Sequence, residues 1–204
     1  MSASYNTLKY YEDQAAEYCM QTQNWDVTGL YTLFEKYLPQ KAYILDFGCG
    51  SGRDSKHFLE QGYRVRATDG SIAICKLASE YIGQKVDYLL FDELNEENVY
   101  DGIWACSSIL HVERKSLPDI FTKMLRAIKP SGVIYTSFKV GNSDRIKEGK
   151  LYTEFTPEDL AQLLQNLPIP SKIVEYITNT SHKRSRPGFN EWGNYIIQKS
   201  TDML

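Results

Sequence analysis

One stretch constrains this chain more than any other: "ILDFGCGSGRDS", residues 44–55. Gly48, Gly50 and Gly52 sit on alternate positions behind an apolar Ile44-Leu45 and an acidic Asp46. Glycine lacks Cβ, so such a turn lets the backbone take positive φ or approach a ligand closely. In open α/β sheets a glycine turn between a buried strand and a helix is the usual ligand cradle, with the helix N–H groups aimed at the same space. Taken alone, the glycines also suit a tight turn that binds nothing.

The rest of the chain supplies that setting. "AYILDF", "YRVRAT", "KVDYLLF", "YDGIWACSS", "VIYTSF", "KIVEYIT" and "WGNYIIQ" read as seven strands, apolar or alternating. One helical segment precedes the first strand and others alternate with the strands that follow, an acidic loop "DELNEEN" standing between the third and fourth. One runs from an Asp26 N-cap to Pro39, one is closed by Gly62, and one runs from Ser71 to Gly83. Another starts at a Ser116 cap and presents Leu117, Ile120, Phe121, Met124, Leu125 and Ile128 on one face. Lys129-Pro130 stops it. Thr156-Pro157 with Asp159 predicts a capping box. Alternation of strand and helix predicts a doubly wound α/β fold, with a mostly parallel sheet covered on both faces. The two late strands lack a crossover helix, so one of them should run antiparallel. "KVGNSDRIKEGK" (139–150) reads as a long flexible loop.

At 204 residues the chain fits a single domain with a sizeable core. A net charge of −3 argues against a surface built for nucleic acid. No apolar run is long enough to span a bilayer, and the polar start lacks the core of a secretion signal, so a cytoplasmic location is expected. Four widely spaced cysteines and three histidines make zinc or a disulfide framework poor bets, and no metal is expected.

The chemistry of the glycine turn can be narrowed further. A Walker cradle needs Gly-Lys-Ser/Thr, and here Arg53-Asp54 follows Gly52. The dinucleotide fingerprint is G-x-G-x-x-G, whereas this chain has G-x-G-x-G with Asp46 two residues ahead, a charge that repels pyrophosphate. Asp69, at the end of the second strand, can accept from the vicinal hydroxyls of a ribose. The pocket therefore calls for a ribose beside a positively charged, phosphate-free group. S-adenosylmethionine meets that description. A bare helix cap remains the plain reading of Asp69.

"ILDFGCGSGRDS" with "VRATDGS" resembles the first two motifs of the class I S-adenosylmethionine-dependent methyltransferases, over roughly residues 5–199. "YYEDQAAEY", "SSILHV", "LRAIKPSGVIYTSF" and "RPGFNEWGNYIIQ" look like the small bacterial methyltransferases grouped with tellurite-resistance-type proteins. The resemblance implies a seven-stranded sheet with the last strand inserted antiparallel. It implies a core over 41–199 and N-terminal helices over 1–40 that cover the cofactor pocket. Gly48, Cys49 and Gly50 would line the methionine moiety, with Asp46 near its ammonium. Asp69 would take the ribose, with Gly70 and Ser71 beside it. Phe91 and Asp92 would face the adenine, and Cys106 and Ser107 would sit near the sulfonium.

Candidates on the acceptor side are fewer. Tyr11 and Tyr18 either close the pocket or pack a helix. His111 is a candidate base near the methyl acceptor, or a structural histidine at a helix start. Lys139 and Arg186 are expected to hold an anionic acceptor, although the basic loop 182–186 also reads as a solvated turn. With no obligate base in view, the sequence favours a soft or pre-ionised acceptor. The rival readings are a non-catalytic S-adenosylmethionine-binding module, an RNA methyltransferase using the basic loop, and a dehydrogenase, which the glycine spacing disfavours.

Overall fold

The computed structural model describes residues 3–180 and 191–200. Three helices come first: α1 (Ala3–Asp13), α2 (Ala15–Thr22) and α3 (Thr28–Glu35). There follow β1 (Tyr43–Phe47), α4 (Arg53–Glu60), β2 (Arg64–Asp69), α5 (Ile72–Ile82), β3 (Asp87–Tyr88), β4 (Tyr100–Ala105), α6 (Leu117–Ala127) and β5 (Ile128–Lys139). The chain ends with β6 (Asp144–Lys147), β7 (Lys150–Thr153), α7 (Pro157–Gln165), β8 (Ser171–Thr180) and β9 (Glu191–Lys199).

Seven strands form one sheet in the order β3-β2-β1-β4-β5-β9-β8. The first five pair in parallel, and β9 enters antiparallel between β5 and β8. This is the expected doubly wound architecture of the Rossmann-like methyltransferase fold. Side chains alternate across each strand. Leu45, Phe47, Ile103, Ala105 and Phe138 therefore meet α6 and α7 on one face. Ile44, Trp104, Val133 and Tyr135 meet α3, α4 and α5 on the other. The order reverses between β1 and β4, and at such a switch point the carboxyl ends of neighbouring strands diverge and leave a crevice.

Local signals decide most boundaries. Ser71 Oγ accepts from the Ile74 amide, and Gly83 closes α5 at φ +69°. Thr156 and Asp159 form the reciprocal capping box at the start of α7. Elsewhere the structure corrects the sequence reading. Asp26 is not the N-cap of α3; it accepts from the Thr28 amide at 3.0 Å, one residue further out. Ser116 precedes α6 but makes no capping bond, because its backbone is already helical (φ −94°, ψ −15°) instead of extended. α6 ends at Ala127, and residues 128–132 belong to β5. The third strand is only Asp87–Tyr88, since the chain then leaves the sheet in a short 3-10 turn, Phe91–Glu93.

The largest correction concerns 139–150. This stretch is largely a β-hairpin, with β6 and β7 paired antiparallel and Lys147 opposite Lys150. Glu148 and Gly149 both have positive φ, +53° and +77°, as a two-residue type I′ turn requires.

Candidate active site

A cavity of about 1380 Å³ opens at the carboxyl ends of the parallel strands. Single-ligand pockets run to roughly 1,000 Å³, so this one has room for two molecules side by side. Its first half is built by the turns after β1, β2, β3 and β4. Gly48 (φ +83°) and Gly50 (φ +54°) carry the turn after β1. A Cβ on Gly48 would stand 2.6 Å from Ser108 Cβ, and one on Gly50 would stand 2.8 Å from the Tyr18 hydroxyl. The turn is anchored on β2, whose Thr68 carbonyl accepts from the amides of Gly48 and Cys49 at 3.0 and 2.8 Å.

Asp69 organises this half. Its Oδ2 accepts from the Gly50 amide at 3.0 Å and its Oδ1 from the Ser71 amide at 2.9 Å. A carboxylate has about four acceptor sites, so acceptor capacity remains for a ligand. Burial pushes the carboxyl up to about 6, against the pull of the Ser71, Gly50 and Gly70 amides. A carboxylate so held is desolvated and ready for hydroxyl donors.

Beneath the cavity is a group that sequence reasoning missed. Arg53 grips Asp54 through Nε (2.6 Å) and Nη2 (2.9 Å). The same carboxylate accepts from Tyr31 Oη at 2.6 Å and Trp104 Nε1 at 2.8 Å. Burial works to raise the Asp54 carboxyl, but Arg53 and these two donors outweigh it and hold the pKa below the ordinary range. Arg53 lines the cavity. Its bidentate grip uses two of five N–H donors and leaves three. The signal was the dipeptide Arg53-Asp54 itself, which sequence reasoning used only to exclude a Walker cradle.

The second half is basic and aromatic. Lys139, at the end of β5, lies 4.6 Å from the Tyr152 ring centroid and 5.5 Å from that of Trp192. Among the described residues it has no carboxylate within ion-pair distance. Burial, then Lys147 and Arg145, lower its pKa. Lys150 lies 4.1 Å over the Tyr10 ring, and Lys147 lines the same space. His111 bonds Tyr11 Oη through Nε2 at 2.9 Å and the Leu151 carbonyl through Nδ1 at 2.6 Å. The hairpin that supplies Lys147, Lys150, Leu151 and Tyr152 was also missed.

Gly48, Cys49, Gly50, Asp69, Gly70, Phe91, Asp92, Cys106, Ser107, Tyr11, Tyr18, His111 and Lys139 all line this one cavity. Two expected residues do not. Asp46 is buried under the turn, where Ser55 Oγ donates to it at 2.6 Å. Burial and then the neighbouring Asp54 push its pKa well up. Ser71 instead ties α5 to α1, its hydroxyl donating to Glu12 Oε2 at 2.6 Å. Burial pushes the Cys106 thiol up to about 12 and raises Cys49 well above its usual value, which makes both poor nucleophiles. Ser107 takes a positive φ of +53° at the rim. Arg186 and the loop 182–186 lie outside the described residues. Among the described residues, no His, Cys, Asp and Glu side chains cluster to hold a metal, and no helix is long and apolar enough to cross a membrane.

Comparison with known proteins agrees with this geometry. Residues 44–132, just under half of the chain, match the family model described as "Methyltransferase domain". A putative methyltransferase, YqeM of Bacillus subtilis, is 28% identical over 117 residues, covering 52% of this chain and 47% of that protein. The match thus spans less than half of this relative. Among solved structures, 1,6-didemethyltoxoflavin-N1-methyltransferase of Burkholderia thailandensis, with bound 1,6-didemethyltoxoflavin and S-adenosylhomocysteine, superposes with a TM-score of 0.72 at 22% identity. The alignment covers 97% of this chain and 88% of that one. TehB of Haemophilus influenzae shares the fold with a TM-score of 0.69 at 16% identity, over 92% and 67%. Residues 44–132 thus resemble a methyltransferase domain in sequence, and the whole described chain shares the fold and strand order of solved methyltransferases.

Proposed function

We propose that the protein transfers a methyl group from S-adenosylmethionine to a small anionic acceptor by in-line displacement. One observation carries the reading. A single cavity joins a desolvated, amide-braced carboxylate, Asp69, to a half-buried lysine, Lys139, that has no acidic partner among the described residues.

The residues of the first half fit this cofactor. Asp69 offers its remaining acceptor capacity to the ribose hydroxyls. Arg53 offers three donors to a carboxylate, and a guanidinium matches a carboxylate in plane. Phe91 and Asp92 suit the flat face and the amino edge of a purine. Cofactor contact through Asp46 and Ser71 is replaced in this reading by support of the turn and of α5. The bound sulfonium supplies an activated methyl group, and this chain's task is to align the acceptor, neutralise its charge and exclude water. Lys139, Lys147 and Lys150 serve the charge. The helices within 1–40 serve as the cover, since Tyr11, Tyr18 and Leu8 line the cavity beside Gly50 and Gly70. The tellurite-resistance-type likeness is supported by the quoted motifs and by the fold shared with TehB. It is a likeness of frame, with no tellurium chemistry attached. A cytoplasmic location is kept on the same footing.

Thermal unfolding with S-adenosylmethionine, S-adenosylhomocysteine or NAD tests the reading. A ligand at 100 times its Kd adds about 2.7 kcal/mol, several degrees for a domain of this size. The two sulfur nucleosides should raise Tm and NAD should not. A shift with NAD alone would replace this reading with a pyrophosphate site.

A further inference from the structure

The lack of an obligate base in the sequence favours a soft acceptor, yet the geometry at His111 points the other way. The Leu151 carbonyl can only accept, so His111 Nδ1, 2.6 Å away, carries the ring proton. Burial pushes the imidazole down to about 4, against the Leu151 bond and with help from Lys150 and Lys139. The ring is therefore neutral near pH 7, and Nε2 is a bare lone pair. Tyr11 Oη, at 2.9 Å, donates to it. Burial, then Tyr18 and Tyr152, hold the Tyr11 phenol protonated. Both side chains line the cavity beside Lys139. The pair is held from both ends. The Leu151 amide donates to Thr7 Oγ1 at 2.9 Å, one helical turn before Tyr11 on α1.

Resting on the methyltransferase reading above, we propose that Tyr11 and His111 form a proton relay, and that the acceptor is a small anion methylated at a hydroxyl or a ring N–H. The acceptor's X–H bond breaks. Its proton passes to the Tyr11 oxygen while the Tyr11 proton passes to His111 Nε2. The electron pair left on X forms the new bond to carbon, and the carbon–sulfur pair goes to sulfur. One positive charge is lost at sulfur as one appears on imidazole, so the desolvated site never carries a second uncompensated charge. The imidazolium returns its proton to water as the product leaves. Among the described residues, the charged and titratable groups placed around the ring include Tyr11 from α1, Lys139 from β5, and Lys150 and Tyr152 from β7.

The test has two readouts. Nitrogen-15 NMR of the free protein should show His111 with Nδ1 protonated and Nε2 bare from about pH 6 to 8, and Tyr11→Phe should shift the Nε2 resonance. Turnover is then measured with methyl-labelled S-adenosylmethionine and four probes: para-hydroxybenzoate, imidazole carboxylate, mercaptoacetate and benzoate. Methylation of the first two alone is expected. Tyr11→Phe and His111→Gln should each lower kcat by about 10²–10⁴-fold, with the Kd of S-adenosylmethionine kept within about threefold. If His111→Gln does not fold, Tyr11→Phe decides, since it removes one oxygen only. Turnover of mercaptoacetate or benzoate alone, undiminished turnover in Tyr11→Phe, a protonated Nε2, or no turnover of any probe despite tight S-adenosylmethionine binding would each overturn the relay. Absence of S-adenosylmethionine binding would overturn instead the reading beneath it.

Discussion

The two halves of the cavity are built by opposite means. The first is framed by backbone, four strand-end turns with amides fixing one carboxylate and two glycines giving clearance, over a buried side-chain brace at Asp54. The second is made of side chains from α1, β5, the β6–β7 hairpin, β9 and His111 after β4, and its Lys139 and Lys150 stand over rings. A backbone site is rigid and tolerates one shape. A side-chain site can be re-lettered without disturbing the sheet. On the proposed reading, the cofactor half is constrained by the fold, whereas the acceptor half holds this chain's own specificity.

The heaviest blow to that division is Asp54→Ala. It takes the carboxylate from the partly exposed Arg53 and orphans the buried Tyr31 Oη and Trp104 Nε1, a loss of about 2–4 kcal/mol. Chemical denaturation should show it, and a variant as stable as the parent would mean that the first half does not rest on this group. Asp69→Ala comes next, with an expected 10- to 100-fold weaker S-adenosylmethionine binding by calorimetry, from about 1.5–3 kcal/mol for charged hydrogen bonds. Unchanged affinity would remove the ribose assignment.

The acid limb gives a subtler check. Asp69 titrates near 6 in the fold and about 3.9 unfolded. Its folded pKa is raised, so its contribution to stability is present below the unfolded value and lost as pH rises through 6. Ribose binding needs the carboxylate, so affinity runs the opposite way and should weaken about tenfold by pH 5. Affinity that stays flat from pH 7 to 5 would contradict it. The smallest effect is Lys139→Ala, which should raise acceptor KM about fivefold, roughly 1 kcal/mol, and leave cofactor Kd alone. A change in cofactor Kd would mean that the halves are not separable.

Legibility in the sequence follows the same division. The glycine turn, Asp69 and the Ser71 cap depend on neighbours within a few residues, so their spacing shows in the string. Arg53 depends on Asp54, whose other partners Tyr31 and Trp104 lie 23 and 50 positions away. No local pattern reveals that contact. The hairpin was missed for a different reason. Its turn is Glu-Gly instead of Asn-Gly, and Ile146 is exposed, so neither the turn signal nor a buried alternation was present. His111 was visible as a residue but not as a dyad, because Tyr11 is 100 positions away.

Helix α1 touches both halves, with Glu12 on Ser71 and Ala73 at one end, and Thr7 on Leu151 and Tyr11 on His111 at the other. The consequence is one of timing. On the proposed reading, a departure of α1 that frees Glu12 would also withdraw the phenol from the imidazole, so opening for exchange would disarm the relay. Turnover and exchange would then alternate, each waiting on the same helix.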